Sequence, residues 1–181
     1  MVRTKLDLLR QEILKYIGLP YHINIPRIIS SENALVGKGS AKEIALKTIE
    51  YANQENIKLV DLTPQQIYNF QKKHHLGIDC SGLICQLLNF YFNANLDPRH
   101  TSADMLTSKP LSKKIRPKNI KTADLVRQKD GHHALFIIEK INNKIIYVDS
   151  SRSGRGVRYG EFDLDDKNFK YDGIFRLLFL D

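Results

Sequence analysis

The chain has 181 residues, 42% of them hydrophobic and 27% charged, with 10 Gly and 6 Pro; this balance suits one globular domain and excludes a fibrous repeat or a disordered chain. A formal charge of +8 favours polyanionic partners, yet no compact Arg-rich or aromatic-interleaved patch gives a specific nucleic-acid signal, and a solvated basic surface explains the charge as well. Cys80 and Cys85 are the only cysteines, and helical rotation points them to different sides, so a disulfide framework is excluded and at least one thiol is free.

Met1 to Arg10 carries charges where a secretory signal needs an unbroken apolar core, and no apolar run is long enough to span a bilayer. The chain as given is expected to be soluble and cytoplasmic, unless it leaves by a signal-free route or a signal was trimmed. Leu6, Leu9, Ile13, Leu14 and Ile17 recur at helical spacing, and Gly18-Leu19-Pro20 supplies a stop. Tyr21 to Gly39, broken by Pro26, Ser30-Ser31, Gly37 and Gly39, reads as loop or short strands. Ser40 caps a second helix that ends near Asn56, with Ile44, Ala45, Ile49 and Ala52 on its apolar side. Thr63-Pro64 starts a third, with Ile67 and Phe70 facing inward.

Ser81 to Phe92 is apolar on all sides, the mark of a helix buried in the core. Asn93 to Thr122 is polar, basic and interrupted by Pro98, Pro110 and Pro117, so it reads as a long connection with one short helix around Ala103–Leu106. Beyond Leu125 the period changes. Ala134 to Ile138, Lys144 to Val148, Gly156 to Phe162 and Gly173 to Leu180 read as strands, with turns at Asn142-Asn143 and Asp165-Asp166 among them. Helices first and strands later predict an α+β fold with a largely antiparallel sheet.

Cys80 follows Gly77-Ile78-Asp79 and opens the apolar helix, so its sulfur is expected at a helix N-terminus, where unpaired N–H groups and the dipole favour an anion. Cysteines so placed ionise more readily, and the thiolate is the nucleophile. The alternative, a small buried hydrophobe, fits Cys85 better, since Ile84 and Leu87 flank it inside the helix. For a base, His22, His74, His75 and His100 lie in polar or irregular stretches, and no metal-ligand spacing appears. His132 and His133 instead open an apolar strand, which would hold an imidazole rigidly. The next strand ends at Asp149, a carboxylate able to orient that ring or simply a strand-end turn residue. His133 and Asp149 share a side only if the hairpin between them has an odd loop or a bulge; a plain two-residue turn at Asn142-Asn143 selects His132.

Five ordered blocks, Asp79-Cys80-Ser81-Gly82-Leu83, Asp97-Pro98-Arg99-His100-Thr101-Ser102-Ala103-Asp104, Ala123-Asp124-Leu125-Val126, Gly131-His132-His133-Ala134-Leu135-Phe136-Ile137 and Val148-Asp149-Ser150-Ser151, resemble the successive motifs of the NlpC/P60 cell-wall peptidases. Gly18-Leu19-Pro20-Tyr21 resembles the end of that family's first helix. The resemblance implies a papain-like fold, with N-terminal helices and the nucleophile on a buried helix packed against the sheet. It makes residues 1–181 a single catalytic domain with a helical insertion at about 22–76. By it Cys80 is the nucleophile, His133 the base and Asp149 the third polar residue, a position often His in the family. Tyr21 looks like the tyrosine assisting the oxyanion site, and Asp79 and Ser81 like the pair that engages a substrate's free amine. No cofactor or metal is implied.

The expected reaction is hydrolysis of an amide in a peptidoglycan stem peptide through an acyl-enzyme on Cys80. A second reading keeps the dyad but changes substrate or acceptor: an acyltransferase, a deamidase or a secreted toxin-like effector acting on a protein or lipid. A third is a non-catalytic module that holds an anionic polymer through the basic Lys109 to Lys129 stretch.

Overall fold

The computed structural model describes residues 4–24, 29–128 and 132–180, with Leu180 by its backbone alone. Met1 to Arg3, Pro26, Lys129 and Gly131, all used in the sequence reading, lie outside them.

Polar caps set the helix starts. Thr4, Ser40 and Thr63 each accept a hydrogen bond from the backbone N–H three residues on, and Asp7, Glu43 and Gln66 reach back to the capping residue's own N–H. These boxes open α1 (Lys5–Leu14), α2 (Ala41–Gln54) and α3 (Pro64–Lys73). Helix α4 (Cys80–Phe92) is capped by Asp79, whose Oδ1 accepts from the Gly82 N–H at 2.6 Å, and ends at Asn93 in the left-handed region. A short α5 (Ala103–Leu106) follows.

Two helix faces differ from the sequence reading. In α1, Leu9 and Ile13 are buried while Leu14 is exposed, as is Ile17 in the turn just beyond the helix. In α2 the buried side is Ile44, Thr48 and Ala52, with Ala45 and Ile49 facing outward. Apolarity favoured Ile49 over Thr48, but the Thr48 hydroxyl donates to the Ile44 carbonyl at 2.7 Å and accepts from Gln71 of α3 at 3.1 Å. Satisfied in this way, it is buried without the cost of an unpaired hydroxyl.

Among the described residues six strands form one antiparallel sheet in the order β1-β6-β2-β3-β4-β5: β1 (Ser112–Ile115), β2 (Leu125–Gln128), β3 (Ala134–Ile141), β4 (Lys144–Ser151), β5 (Gly156–Asp163) and β6 (Tyr171–Leu177). The fold is α+β, as the element order implied. Strand β1 lies inside the stretch read as a connection. It is an edge strand with exposed Lys113 and Lys114, and edge lysines hide the alternation by which a strand is recognised. The last strand ends at Leu177, and Leu178–Leu180 is a 3₁₀ turn rather than its continuation.

Helix α4 lies in the main apolar cluster, where Leu83, Ile84, Leu87 and Leu88 meet Leu9 and Ile13 of α1 and Phe136, Ile138 and Val148 of the sheet. Each such fully buried side chain is worth about 1.5–3 kcal/mol of transfer free energy. A smaller cluster gathers Val126, Leu135, Ile137, Ile145, Tyr147, Phe162 and Ile174. No helix among the described residues is long and apolar enough to cross a membrane.

Candidate active site

Ile78 is the residue on which three neighbouring segments meet. Its N–H donates to the Pro20 carbonyl at 3.0 Å, and its own carbonyl accepts from the Ser150 hydroxyl at 2.6 Å. Bridges join it to Tyr21 on one side and Lys38 on the other, and the Asp79 N–H donates to the Gly37 carbonyl at 2.8 Å. The approach is so close that a Cβ on Gly77 would lie 2.3 Å from the Pro20 carbonyl oxygen, and one on Gly82 would lie 2.6 Å from that of Gly37. Only glycine fits at either position, which accounts physically for the Gly77-Ile78-Asp79-Cys80-Ser81-Gly82 run. The consequence is that Tyr21, Lys38 and Cys80 hold fixed positions around the first turn of α4.

Cys80 is the first residue of α4, where backbone N–H groups have no partner within the helix. It is 7% exposed, and its thiol donates to the His132 carbonyl at 3.8 Å. Its side chain is also close enough to the His133 imidazole to favour the charged ring. Asp149 holds the ring through Nε2, 3.0 Å from Oδ2, so Nδ1 is the nitrogen not taken by the carboxylate. Asp149 is 3% exposed, and its second oxygen accepts from Arg158 Nε at 3.3 Å.

A bulge at Ile138 makes this meeting possible. The two-residue turn at Asn142-Asn143 pairs Ile141 with Lys144, but Ile137 pairs with Tyr147 while Glu139 pairs with Ile146, so Ile138 is an extra residue in β3. Continuing the shifted register sets Leu135 opposite Asp149, and His133, two residues before it, shares that side. Without the bulge the same turn would have offered His132.

Burial disfavours charge on His133, but the hydrogen bonds and negative charges of Asp149 and Cys80 outweigh it and raise its pKa to about 9. Tyr21 is raised to about 12, chiefly by burial and then by the charges at Cys80 and Asp79, so its phenol stays a donor at neutral pH. Cys85 is fully buried, and desolvation pushes its thiol up to about 12.

No protein-family model and no curated protein matches the chain. What the site can do therefore rests on its own geometry.

A cleft of about 370 Å³ opens over Cys80, lined also by Tyr21, Lys38, Asp79, Ser81 and His132. His132 is on the cleft with its ring bound to Asp104: its Nδ1 is 2.8 Å from Asp104 Oδ2, and its side chain is 87% exposed. Arg127 Nη2 holds the other Asp104 oxygen at 2.6 Å. Asp124 pairs with Arg176 through two bonds of 2.8 Å at a buried site and accepts from the Lys121 N–H, a structural use of the Ala123-Asp124 block.

Asp79 and Ser81 are engaged within the chain by the ammonium of Lys38. Lys38 Nζ lies 2.9 Å from Asp79 Oδ1, 2.8 Å from Oδ2 and 2.6 Å from Ser81 Oγ. Nothing in the sequence marked Lys38, a single lysine between two glycines in an irregular stretch. Arg158 was equally unmarked, although the β4–β5 register that pairs Asp149 with Arg158 follows from a hairpin between those strands. Among the described residues, no group of three or more His, Cys, Asp or Glu could hold a metal ion.

Proposed function

We propose that the chain is a papain-like cysteine hydrolase of the NlpC/P60 kind that cleaves an amide bond in a peptidoglycan stem peptide. The observation that carries the proposal is one imidazole bonded to a buried carboxylate and set beside a thiol at a helix N-terminus. An orienting group, a base and a nucleophile in that order are what nucleophilic acyl transfer needs.

In the proposed reaction the Cys80 sulfur attacks the carbonyl carbon and forms the S–C bond. The developing oxyanion is received by N–H groups at the start of α4 and by the Tyr21 hydroxyl. His133 gives its proton to the leaving nitrogen as the C–N bond breaks, producing the amine and a thioester on Cys80. His133 then takes a proton from water as that water attacks, and the acid leaves while the thiol is restored. Asp149 stabilises the imidazolium in both halves, and Arg158 holds the far oxygen of Asp149.

One observation favours a second reading in which substrate or acceptor differs. With Lys38 seated on Asp79 and Ser81, the position that the family resemblance gives to a substrate's free amine is filled from within. A substrate with no free amine near the scissile bond then suits the cleft, as in an acyltransferase, a deamidase or an effector acting on a protein or lipid. Digestion of purified peptidoglycan and muropeptides, with products identified by mass spectrometry, separates the readings. Cleavage that disappears in Cys80→Ser supports the first, whereas intact muropeptides beside acylation of Cys80 by a protein or lipid substrate support the second. Intact muropeptides and no acylation from any of these substrates would contradict both.

A further inference from the structure

Tyr21 lines two cavities: the cleft over Cys80 and a second one of about 360 Å³. The second lies between α3, which contributes Tyr68 and Lys72, and the turn joining β4 to β5, which contributes Arg152 and Arg155. Three permanent cations converge there, and no Asp or Glu among the described residues lines the cavity.

Convergent cations elsewhere in the molecule are matched by carboxylates: Lys38 by Asp79, Lys47 by Glu32 and Glu50, Arg127 by Asp104, Arg176 by Asp124. Lys72, Arg152 and Arg155 have no ion pair with a described carboxylate, and Lys72 leans over the Tyr68 ring at 5.8 Å instead. Like charges held around one cavity repel until an anion enters, so the arrangement is complementary to a ligand rather than to the protein itself.

The walls are fixed. In the turn, the Gly154 N–H donates to Ser151 Oγ at 3.1 Å and the Arg155 N–H to the Arg152 carbonyl at 3.2 Å. The turn is tied to the segment leading into Tyr21 by the Val157 N–H on the Leu19 carbonyl at 2.9 Å. Opposite it, Phe70 and Gln71 anchor α3 in the interior. Guanidinium groups on such supports suit carboxylate or phosphate oxygens, which they bind through paired N–H donors.

We propose that this cavity is a binding subsite for an oxyanion, a carboxylate or phosphate group carried by the molecule whose reacting bond lies at Cys80. The link to Cys80 rests on the hydrolase reading; the anion site itself does not. One of the three cations, Lys72, comes from the helical segment at about 22–76, which gives that segment a part in selecting an acidic ligand.

Calorimetric titration of the full chain at low ionic strength, with citrate and with pyrophosphate as probes, tests the site. Saturable one-to-one binding of at least one probe is expected, and a preference between them tells carboxylate from phosphate. The Lys72→Ala/Arg152→Ala/Arg155→Ala variant should weaken that binding about tenfold or more. Lys118→Ala/Lys167→Ala/Lys170→Ala, which removes the same charge from exposed positions elsewhere, should leave it nearly unchanged. No saturable binding, or equal weakening in both variants, would overturn the site as diffuse surface charge. If the first triple variant melts below its working temperature, Arg155→Glu alone carries the same test.

The link to Cys80 is read separately, from alkylation of Cys80 by anionic iodoacetate and neutral iodoacetamide. The cavity variant should slow only the iodoacetate reaction, and an unchanged ratio of the two rates would overturn the link. If Cys80 reacts with neither reagent while citrate or pyrophosphate still binds, the hydrolase reading and the link both fail and the anion site stands.

Discussion

His133 keeps its proton up to about pH 9 because Asp149 and Cys80 outweigh the cost of burying its charge. A protonated imidazole beside the sulfur favours the thiolate, so activity should fall as pH rises through about 9 and that charge is lost. Asp149→Asn removes the carboxylate whose hydrogen bond is the largest single raising influence and should move this upper limb to lower pH; a limb that stays in place, read from kcat/KM against pH, would count against the assignment. His133→Ala should lower turnover about 10²–10⁴-fold, whereas His132→Ala, at an exposed ring bound to Asp104, should leave most of it. Iodoacetamide at neutral pH should label Cys80 and spare Cys85, and equal slow labelling of both would argue against an activated thiol. The two cysteines were told apart in the sequence by their flanks alone, polar around Cys80 and apolar around Cys85. The choice between His132 and His133 was not settled that way, because one bulged residue decides it and Ile138 looks like any other strand residue.

The start of α4 concentrates several constraints that local sequence shows only in part. The Asp79 cap and the buried helix were legible from a helix-start residue followed by an apolar run. The closeness of Gly82 to Gly37 was not, since it joins positions far apart in the chain. Gly82→Ala should therefore cost about 1–3 kcal/mol by overpacking and displace Cys80 from His133, so a melting curve and activity should fall together. Wild-type activity in Gly82→Ala would show that the first turn of the helix tolerates a shift. Lys38→Ala leaves Asp79 without its cation, each side chain of that pair being mostly buried. It should destabilise the fold by about 1–3 kcal/mol and raise activity on substrates with a free amine beside the scissile bond. Strand β1 went unread because its lysines face solvent, and the Thr48 side of α2 because a satisfied hydroxyl can be buried where hydropathy names an isoleucine.

Element order made the α+β class legible: helical periods end before Leu125 and strand periods follow. The neighbour order β1-β6-β2-β3-β4-β5 was not legible, since β6 inserts between two strands that precede it in the chain. The basic character also looks different once folded. The sequence pointed to Lys109 to Lys129, while the convergent cations come from α3 and the β4–β5 turn, which only the fold brings together. The His133 charge should also leave a mark on global stability. His133 has a folded pKa of about 9 against an ordinary value of 6.5, so its charge stabilises the fold fully below about pH 6.5. That contribution fades as pH rises toward 9, and chemical denaturation of wild type and His133→Ala should show the difference between them shrinking over that interval.

The most direct test of the proposed nucleophile and base is the rate at which iodoacetamide alkylates Cys80 at pH 6–7 in wild type and in His133→Ala, followed by mass spectrometry. Fast labelling of the wild type, slowed about tenfold or more when the imidazole is removed, is the expected result. Identical rates in the two proteins would mean that the ring does nothing for the sulfur, and the catalytic reading would be wrong.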